Sequence, residues 1–276
     1  MRVALLQYPV VWAEVQENLR LTELRLRAIA GEADVAVLPE MFSTGFCTNI
    51  PHMADTMDGE TMCRVRSWAN VLNMAIVGTF MCKDGGNLYN RGFFVEPNGK
   101  CHFIDKRHLY PGRGESELFT AGTERPIVEY KGVKFCLQIC YDLRFPVWTR
   151  NKSGFDYDIL IYCSAWPDVK IQAWDVMLAS RCLENQCYLV GVNCVGDDGL
   201  GLHYKGHSVA YDTRLQRLVW FEDDEEGTKI ADFDMDRLTH FRKVLPLWKD
   251  SDRFEIEEVS CAKKNDFNTV NVEEKK

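Results

Sequence analysis

The stretch at positions 133–146 constrains the fold of this chain more than any other. It reads V-K-F-C-L-Q-I-C-Y-D-L-R-F-P, and charged or polar residues alternate with apolar or sulfur-containing ones up to Ile139. This alternation predicts a β-strand that ends at Cys140 and is followed by a turn into a helix. In α/β proteins, ligands bind at the carboxyl edge of the sheet, and the start of a following helix favours a thiolate. Cys140 is therefore a candidate reactive residue, although a cysteine taken alone is more often a buried core residue.

Two charged residues follow other predicted strands in the same way. Glu40 comes after the apolar run at positions 34–38, and Lys106 comes after a predicted hairpin at 87–105 whose turn reads E-P-N-G. A partly desolvated carboxylate has a raised pKa and can act as a base, whereas a lysine can lower the pKa of a thiol and stabilise an oxyanion. Taken singly, Glu40 could equally cap a helix or form a salt bridge, and Lys106 could be a surface charge.

Strands and helices alternate along the chain, and the hairpin adds antiparallel pairing, so the sequence predicts an α/β fold with a mixed sheet. Positions 111–122 have no clear periodicity and are predicted to form a loop over the site. The predicted helices cover positions 13–30, 61–72, 145–151, 171–185 and 236–244. Besides the strand ending at Cys140, the predicted strands cover positions 2–8, 34–38, 75–80, 87–95, 100–105, 157–164, 187–193, 205–211, 218–222 and 229–233.

The composition argues against several classes of partner. The chain has 276 residues and a net charge of −8, with a sequence pI of about 5.4. It therefore has no basic footprint for nucleic acid or an anionic membrane, and small molecules or other protein chains are the expected partners. We expect one domain at positions 1–255 and a polar tail at 256–276 that is disordered or forms a dimer arm.

The cysteines indicate the compartment. The chain has eleven of them and no C-x-x-C pair, which predicts reduced thiols and neither a disulfide framework nor a zinc site. The apolar run at positions 3–12 is interrupted by Gln7 and Pro9 and is followed by acidic residues. It is therefore interpreted as a first strand and not as a signal peptide. We expect a cytoplasmic protein that needs no metal.

Three motifs, taken in order, carry a family resemblance. They are L-P-E ending at Glu40, K-R-H-L beginning at Lys106, and C-Y-D-L-R-F-P beginning at Cys140. In this order they resemble the nitrilase superfamily of carbon–nitrogen hydrolases, and within it the omega-amidase branch. The resemblance extends over positions 1–254 and includes A-W-P at 165–167 and R-C-L-E-N-Q at 181–186.

The resemblance implies a four-layer α-β-β-α sandwich of two mixed sheets, and homodimers formed through helices beside the cysteine. It also implies roles for individual residues. Cys140 would be the nucleophile, Glu40 the general base, and Lys106 the cation that stabilises the oxyanion together with the backbone N–H of Tyr141. Glu115 would be an additional glutamate that orients the substrate and the attacking water. No metal or organic cofactor would be required.

The same resemblance implies a substrate class, the short keto-acid amides 2-oxoglutaramate and 2-oxosuccinamate. Their carboxylate needs a cation, and Arg144 is the candidate, although a pairing of this arginine with Asp142 or Glu184 is an equal alternative. Three aromatic residues could wall the pocket, although each could equally belong to the core. They are Phe42, Tyr110 and Trp166.

Other functions remain open at this point. Hydrolysis of N-carbamoyl compounds or nitriles would use the same thioester or thioimidate chemistry. A cysteine protease mechanism would need His108 or His207 as base, but no protease signature surrounds Cys140. The chain could also be a non-catalytic interaction protein, although a charged trio at a buried sheet edge argues against this.

Overall fold

The computed structural model describes residues 1–151, 154–252 and 254–256 of the chain. Its helices are α1 (Val15–Ala28), α2 (Glu60–Leu72), α3 (Glu115–Leu118), α4 (Pro146–Thr149), α5 (Ile171–Asn185) and α6 (Met235–Val244). Its strands are β1 (Arg2–Gln7), β2 (Val35–Val37), β3 (Ala75–Asp84), β4 (Asn87–Val95), β5 (Cys101–Asp105), β6 (Ile127–Tyr130), β7 (Val133–Ile139), β8 (Ile159–Cys163), β9 (Tyr188–Val192), β10 (Val195–Asp197), β11 (His203–Lys205), β12 (Val209–Tyr211), β13 (Arg217–Trp220) and β14 (Gly227–Asp232). The described ranges also contain four short 3₁₀ turns, Pro51–Met53, Cys140–Arg144, Asp168–Lys170 and Leu247–Asp250.

Two six-stranded mixed sheets organise the fold. The first has the order β14-β1-β2-β3-β4-β5 and the second β13-β12-β9-β8-β7-β6. Each has three parallel strands in the middle, β1-β2-β3 and β7-β8-β9, with antiparallel strands on both sides. The central strands are short, apolar and fully buried, as expected for parallel strands that are covered on both faces.

The two sheets pack face to face. The core between them combines side chains of both sheets, such as Val37 and Phe94 from the first with Phe135 and Ile161 from the second. The rings of Phe94 and Phe135 are 5.2 Å apart. On the outer faces, α1 and α2 cover the first sheet and α5 covers the second. The protein is therefore a four-layer α-β-β-α sandwich, which confirms the predicted fold class.

Most predicted elements are present, and the differences have local causes. The predicted strand at 205–211 is two strands, β11 and β12, in different sheets. The chain turns between them because Gly206 and His207 have φ values of 84° and 58°, and a Cβ at Gly206 would lie 2.2 Å from the amide nitrogen of Gln7. The loop at 111–122 contains the single-turn helix α3. The short strands β6 and β10 are not predicted from the sequence.

The structure bears only in part on three further expectations, which concern the membrane, the tail and the domain boundary. No helix in the described ranges is long and apolar enough to cross a membrane. The tail at 256–276 lies outside the described residues except for Ile256. The domain boundary at 255 therefore stays a prediction.

Candidate active site

The carboxyl ends of strands from both sheets meet at one edge of the sandwich. Glu40 follows β2, Lys106 follows β5, Cys140 follows β7 and Ala165 follows β8. The two sheets are joined here by the backbone of Glu40, whose N–H donates to the carbonyl of Ser164 over 3.3 Å. The N–H of Ala165 in turn donates to Glu40 Oε2 over 2.9 Å. The structure therefore brings together residues that are 125 positions apart in the chain.

Lys106 lies between two carboxylates. Its Nζ is 2.8 Å from Glu40 Oε1 and 2.9 Å from Glu115 Oε2, and all three side chains are fully buried. A buried charge is tolerated only when it is paired and hydrogen-bonded, and here one ammonium group serves both acids. The N–H of Tyr110 also donates to Glu115 Oε2, over 2.7 Å.

Asn90 connects the same two acids. Its side-chain nitrogen donates to Glu40 Oε1 over 2.7 Å and to Glu115 Oε1 over 2.9 Å. Asn90 lies in β4 and is completely buried. The sequence analysis missed it, because Asn90 stands beside the charged Arg91 in the predicted strand, and local pattern alone does not mark either position as buried.

The electrostatics of the cluster follow from burial and pairing. Burial by itself would lower the pKa of Lys106, but Glu115 and Glu40 outweigh it and hold that pKa above its ordinary value, so the lysine stays charged. Burial raises the pKa of Glu115, and the neighbouring Glu40 adds to this, while Lys106 opposes it. One ammonium group thus faces two carboxyl groups, which gives the cluster a formal charge of −1.

Cys140 stands in a strained backbone position. Its φ is 41°, in the left-handed region that non-glycine residues seldom occupy. Its Sγ lies 3.9 Å from the carbonyl oxygen of Ala165. Strained backbone of this kind clusters at functional sites, because surrounding structure must hold it in place.

The thiol of Cys140 is protonated at rest. Burial raises its pKa well above the ordinary value, and the adjacent Glu40 raises it further, whereas Lys106 lowers it. The expectation that a following helix would favour the thiolate is wrong, because Cys140–Arg144 is only a 3₁₀ turn. Reaction at this sulfur therefore needs a base beside it, and Glu40 occupies that position.

A pocket opens onto Cys140. Its lining includes three of the predicted substrate-contacting residues, Tyr141, Arg144 and Trp166. The remaining lining residues are Phe46, Lys106, Tyr110, Arg113, Ala165, Pro167, Lys170, Leu202 and Tyr204. Phe42 lies elsewhere: it is completely buried in the core under the first sheet, and its ring is 5.9 Å from that of Phe93.

Arg144 makes neither of the two ion pairs considered from the sequence. Asp142 accepts instead from the N–H groups of Ile139 and His108. Glu184 pairs with Arg181 at 3.1 Å. The guanidinium of Arg144 lies 5.0 Å from the ring centroid of Trp166, and within the described ranges it has no carboxylate partner. Its charge is therefore available to a ligand in the pocket.

Neither histidine is placed to act on the thiol. His108 binds Asp142 through Nδ1 over 2.8 Å and stacks on Phe145. His207 lies between Asp175 and Asp223. Neither lines the pocket of Cys140. In the described ranges, no group of three or more His, Cys, Asp or Glu side chains is arranged to hold a metal ion.

The sequence matches the family model described as carbon-nitrogen hydrolase over residues 2–243. The chain belongs to the carbon–nitrogen hydrolase family. This carbon–nitrogen hydrolase is 38% identical to the omega-amidase YafV of Yersinia enterocolitica, over 92% of this chain and 98% of that protein. It is 28% identical to the 2-oxoglutaramate amidase of Bacillus subtilis strain 168, over 90% and 96% of the two chains.

A comparison with a solved structure also supports membership of this family. XC1258 from Xanthomonas campestris, a CN-hydrolase superfamily protein with an arsenic adduct in the active site, superposes with a TM-score of 0.91 and 33% identity. The alignment covers 93% of this chain and 99% of that one. Together with the omega-amidase relatives, this makes the carbon–nitrogen hydrolase an enzyme that hydrolyses amides.

Proposed function

We propose that this enzyme hydrolyses the terminal amide of short 2-oxo acid amides, such as 2-oxoglutaramate and 2-oxosuccinamate, to the dicarboxylate and ammonia. The observation that carries the proposal is the guanidinium of Arg144, which faces the pocket of Cys140 and has no carboxylate partner among the described residues. A small amide with a carboxylate at its far end complements this arrangement, because the carboxylate pairs with the arginine while the amide reaches the sulfur. The names of the relatives agree with this substrate class.

In the proposed first half-reaction, Glu40 takes the proton of the Cys140 thiol while the sulfur attacks the amide carbon. The tetrahedral oxyanion is stabilised by Lys106 and by the backbone N–H of Tyr141. Glu40 then passes its proton to the departing nitrogen, the C–N bond breaks, and ammonia leaves a thioester on Cys140. A protonated resting thiol suits this sequence, because the proton that the leaving group needs is already in the site.

In the second half-reaction, Glu40 takes a proton from water, and the resulting hydroxide attacks the thioester carbon. The carbon–sulfur bond breaks, and the sulfur regains its proton from Glu40. Glu115 orients the substrate and this water. It does so from a fixed position, because its oxygens accept from Lys106, Asn90 and the N–H of Tyr110.

Arg144, Tyr141 and Trp166 form the binding part of the proposed site. Arg144 presents a planar fork that matches a carboxylate, and the indole of Trp166 holds the guanidinium from one side. Tyr141 follows the nucleophile directly, and its ring packs against Tyr110. Phe42 does not contact the substrate in this proposal and contributes only to the packing of the core beneath the site.

The test is ammonia release from a panel of 2-oxoglutaramate, 2-oxosuccinamate, an N-carbamoyl amino acid, a simple nitrile and glutamine. We expect rapid turnover of the two 2-oxo acid amides and none by Cys140→Ala. In Arg144→Gln, kcat/KM should fall by about 10- to 100-fold for loss of one charged contact, and Arg144→Lys should recover part of it. Turnover confined to the N-carbamoyl compound or the nitrile would support the proposed catalytic residues but refute the proposed substrate class.

The proposal extends to the assembly and the compartment. The enzyme forms a homodimer through the outer side of α5, where Val176 and Leu183 lie seven residues apart on the same side of the helix and are 65% and 45% exposed. Val147 on α4 is 55% exposed as well. Light scattering should give twice the mass of the chain for the wild type and a smaller mass for Val176→Glu. The ten cysteines among the described residues carry free thiols, in keeping with work in the cytoplasm.

A further inference from the structure

The pocket of Cys140 contains more positive charge than the reaction needs. Two of its lining cations are neutralised by the protein: Lys106 by the acids described above, and Arg113 by Asp198 at 2.5 Å. The other two are Arg144 and Lys170. In the part of the chain that the structure describes, neither forms an ion pair. A single substrate carboxylate accounts for one of these charges and leaves the other unexplained.

Lys170 is held in a defined position on the pocket wall. Its Nζ donates to the Tyr110 hydroxyl over 2.9 Å and lies 4.9 Å from the centre of that ring. An ammonium group has three N–H donors, so two of them remain for a ligand. The Tyr110 ring meets the ring of Tyr141 edge to face at 5.5 Å, and Tyr141 follows Cys140 directly. The lysine is thereby tied to the wall beside the nucleophile.

The second cation is tied to the same structural unit. The indole N–H of Trp166 donates to the carbonyl of Lys170 over 2.8 Å, and the face of that indole carries the guanidinium of Arg144. Trp166 therefore fixes the backbone of one cation and the head group of the other. Arg144 and Lys170 form a pair built around one side chain, and both face the same pocket.

We propose that Lys170 is a specificity-determining residue that selects 2-oxo acid amides over 2-amino acid amides, an inference that rests on the proposed function. With the carboxylate on Arg144, the substituent on the neighbouring carbon faces Lys170. A 2-oxo oxygen accepts a charge-assisted hydrogen bond from the ammonium group. The α-ammonium of glutamine would instead meet a like charge at close range, which is costly.

The experiment compares three amides that differ only at the second carbon. These are 2-oxoglutaramate, glutaramate, which has no substituent there, and glutamine. In the wild type we expect kcat/KM to decrease in that order. In Lys170→Met the preference for 2-oxoglutaramate over glutaramate should shrink by about 10- to 100-fold, the value of one charge-assisted hydrogen bond, and glutamine should improve relative to glutaramate.

Three controls separate this effect from others. Lys170→Arg keeps the positive charge and should keep most of the preference. Tyr110→Phe removes the hydroxyl that accepts from Lys170 and should weaken the preference in part. Lys83→Met changes an exposed lysine at the end of β3 and should alter neither substrate ratio. A thermal melt of each variant shows that it is folded.

The possible outcomes distinguish the two proposals. A wild type that turns over none of the three amides would refute the proposed function itself. A wild type that prefers 2-oxoglutaramate, together with a Lys170→Met protein that retains the same ratio to glutaramate, would overturn the role of Lys170 and leave the proposed function standing. A collapse of the ratio in Lys170→Met but not in Lys83→Met would support the inference.

Discussion

Lys106→Met isolates the charge balance of the buried cluster. In the wild type, one ammonium group lies 2.8 Å from Glu40 and 2.9 Å from Glu115, all without exposure to water. The substitution keeps an unbranched side chain as far as Cε, removes the ammonium group, and leaves two carboxylates that share the side-chain nitrogen of Asn90. Removing one partner from a buried ion pair costs about 3–5 kcal/mol, which corresponds to a fall in Tm of about 6–20 °C for a chain of this size.

The loss should depend on pH. Burial and Glu40 already raise the pKa of Glu115, and loss of Lys106 removes the strongest of the groups that oppose them, leaving only the hydrogen bonds from Asn90 and the N–H of Tyr110. A carboxyl group whose pKa is higher in the folded than in the unfolded state contributes stability below its unfolded pKa, and this stability is lost as the pH rises through the folded pKa. Lys106→Met should therefore be damaged more at pH 8 than at pH 5.

Adding a second substitution to Lys106→Met tests whether removing one negative charge restores the lost stability. Lys106→Met with Glu115→Gln restores the net charge of the cluster to −1 and should recover about half of the lost stability at pH 8. It should not restore activity, because loss of an oxyanion donor typically lowers kcat by about 10²–10³-fold. Chemical unfolding of both variants at the two pH values is the assay. Equal losses at pH 5 and pH 8, with no recovery in the double variant, would refute the charge argument and leave packing as the role of Lys106.

Three further substitutions have distinct expected outcomes. Asn90→Leu removes the donor shared by both acids and should lower kcat by about 10- to 100-fold in a steady-state ammonia assay; an unchanged kcat would exclude a positioning role. For His207, burial favours the neutral ring, but hydrogen bonds to Asp223 and Asp175 outweigh it and raise the pKa. Their stabilisation is therefore full below the ordinary histidine pKa and is lost as the pH rises through the raised value. His207→Gln should lose up to about 1 kcal/mol at pH 5.5 and less at pH 8.5 in paired unfolding curves, and a larger loss at the higher pH would contradict this. Phe42→Ala should cost about 3–5 kcal/mol of stability while kcat/KM of the folded protein changes little; a selective loss of substrate affinity would return Phe42 to the pocket.

Local sequence pattern was sufficient for residues that follow a strand directly. Glu40, Lys106 and Cys140 each come after an apolar or alternating run, and strand direction places each of them at the carboxyl edge of its own sheet. Phe42 could not be placed this way, because Met41 turns the chain with a φ of 48°. That turn directs Phe42 into the core, where its N–H donates to the carbonyl of Thr79.

Residues whose role depends on distant partners were beyond the sequence pattern. Asn90 matters because two acids from other elements accept hydrogen bonds from it. Lys170 matters because the hydroxyl of Tyr110, sixty positions away, accepts a hydrogen bond from its ammonium group. The break at Gly206 likewise depends on Gln7, which fills the space that a Cβ would need. The order of the strands in the two sheets also depends on pairing between distant segments. The periodicity of apolar residues predicts where strands occur but not which strands pair.

The backbone of Cys140 has an evolutionary consequence. A side chain at a φ of 41° costs roughly 1–2 kcal/mol that glycine would avoid. A lineage released from the need to hydrolyse amides is relieved of this strain when glycine replaces the cysteine, although the freedom of glycine in the unfolded chain offsets part of the gain. Glycine at this position in a descendant of this fold would therefore mark the loss of amide hydrolysis, and Cys140→Gly would give the laboratory an inert form whose backbone at this position is unstrained.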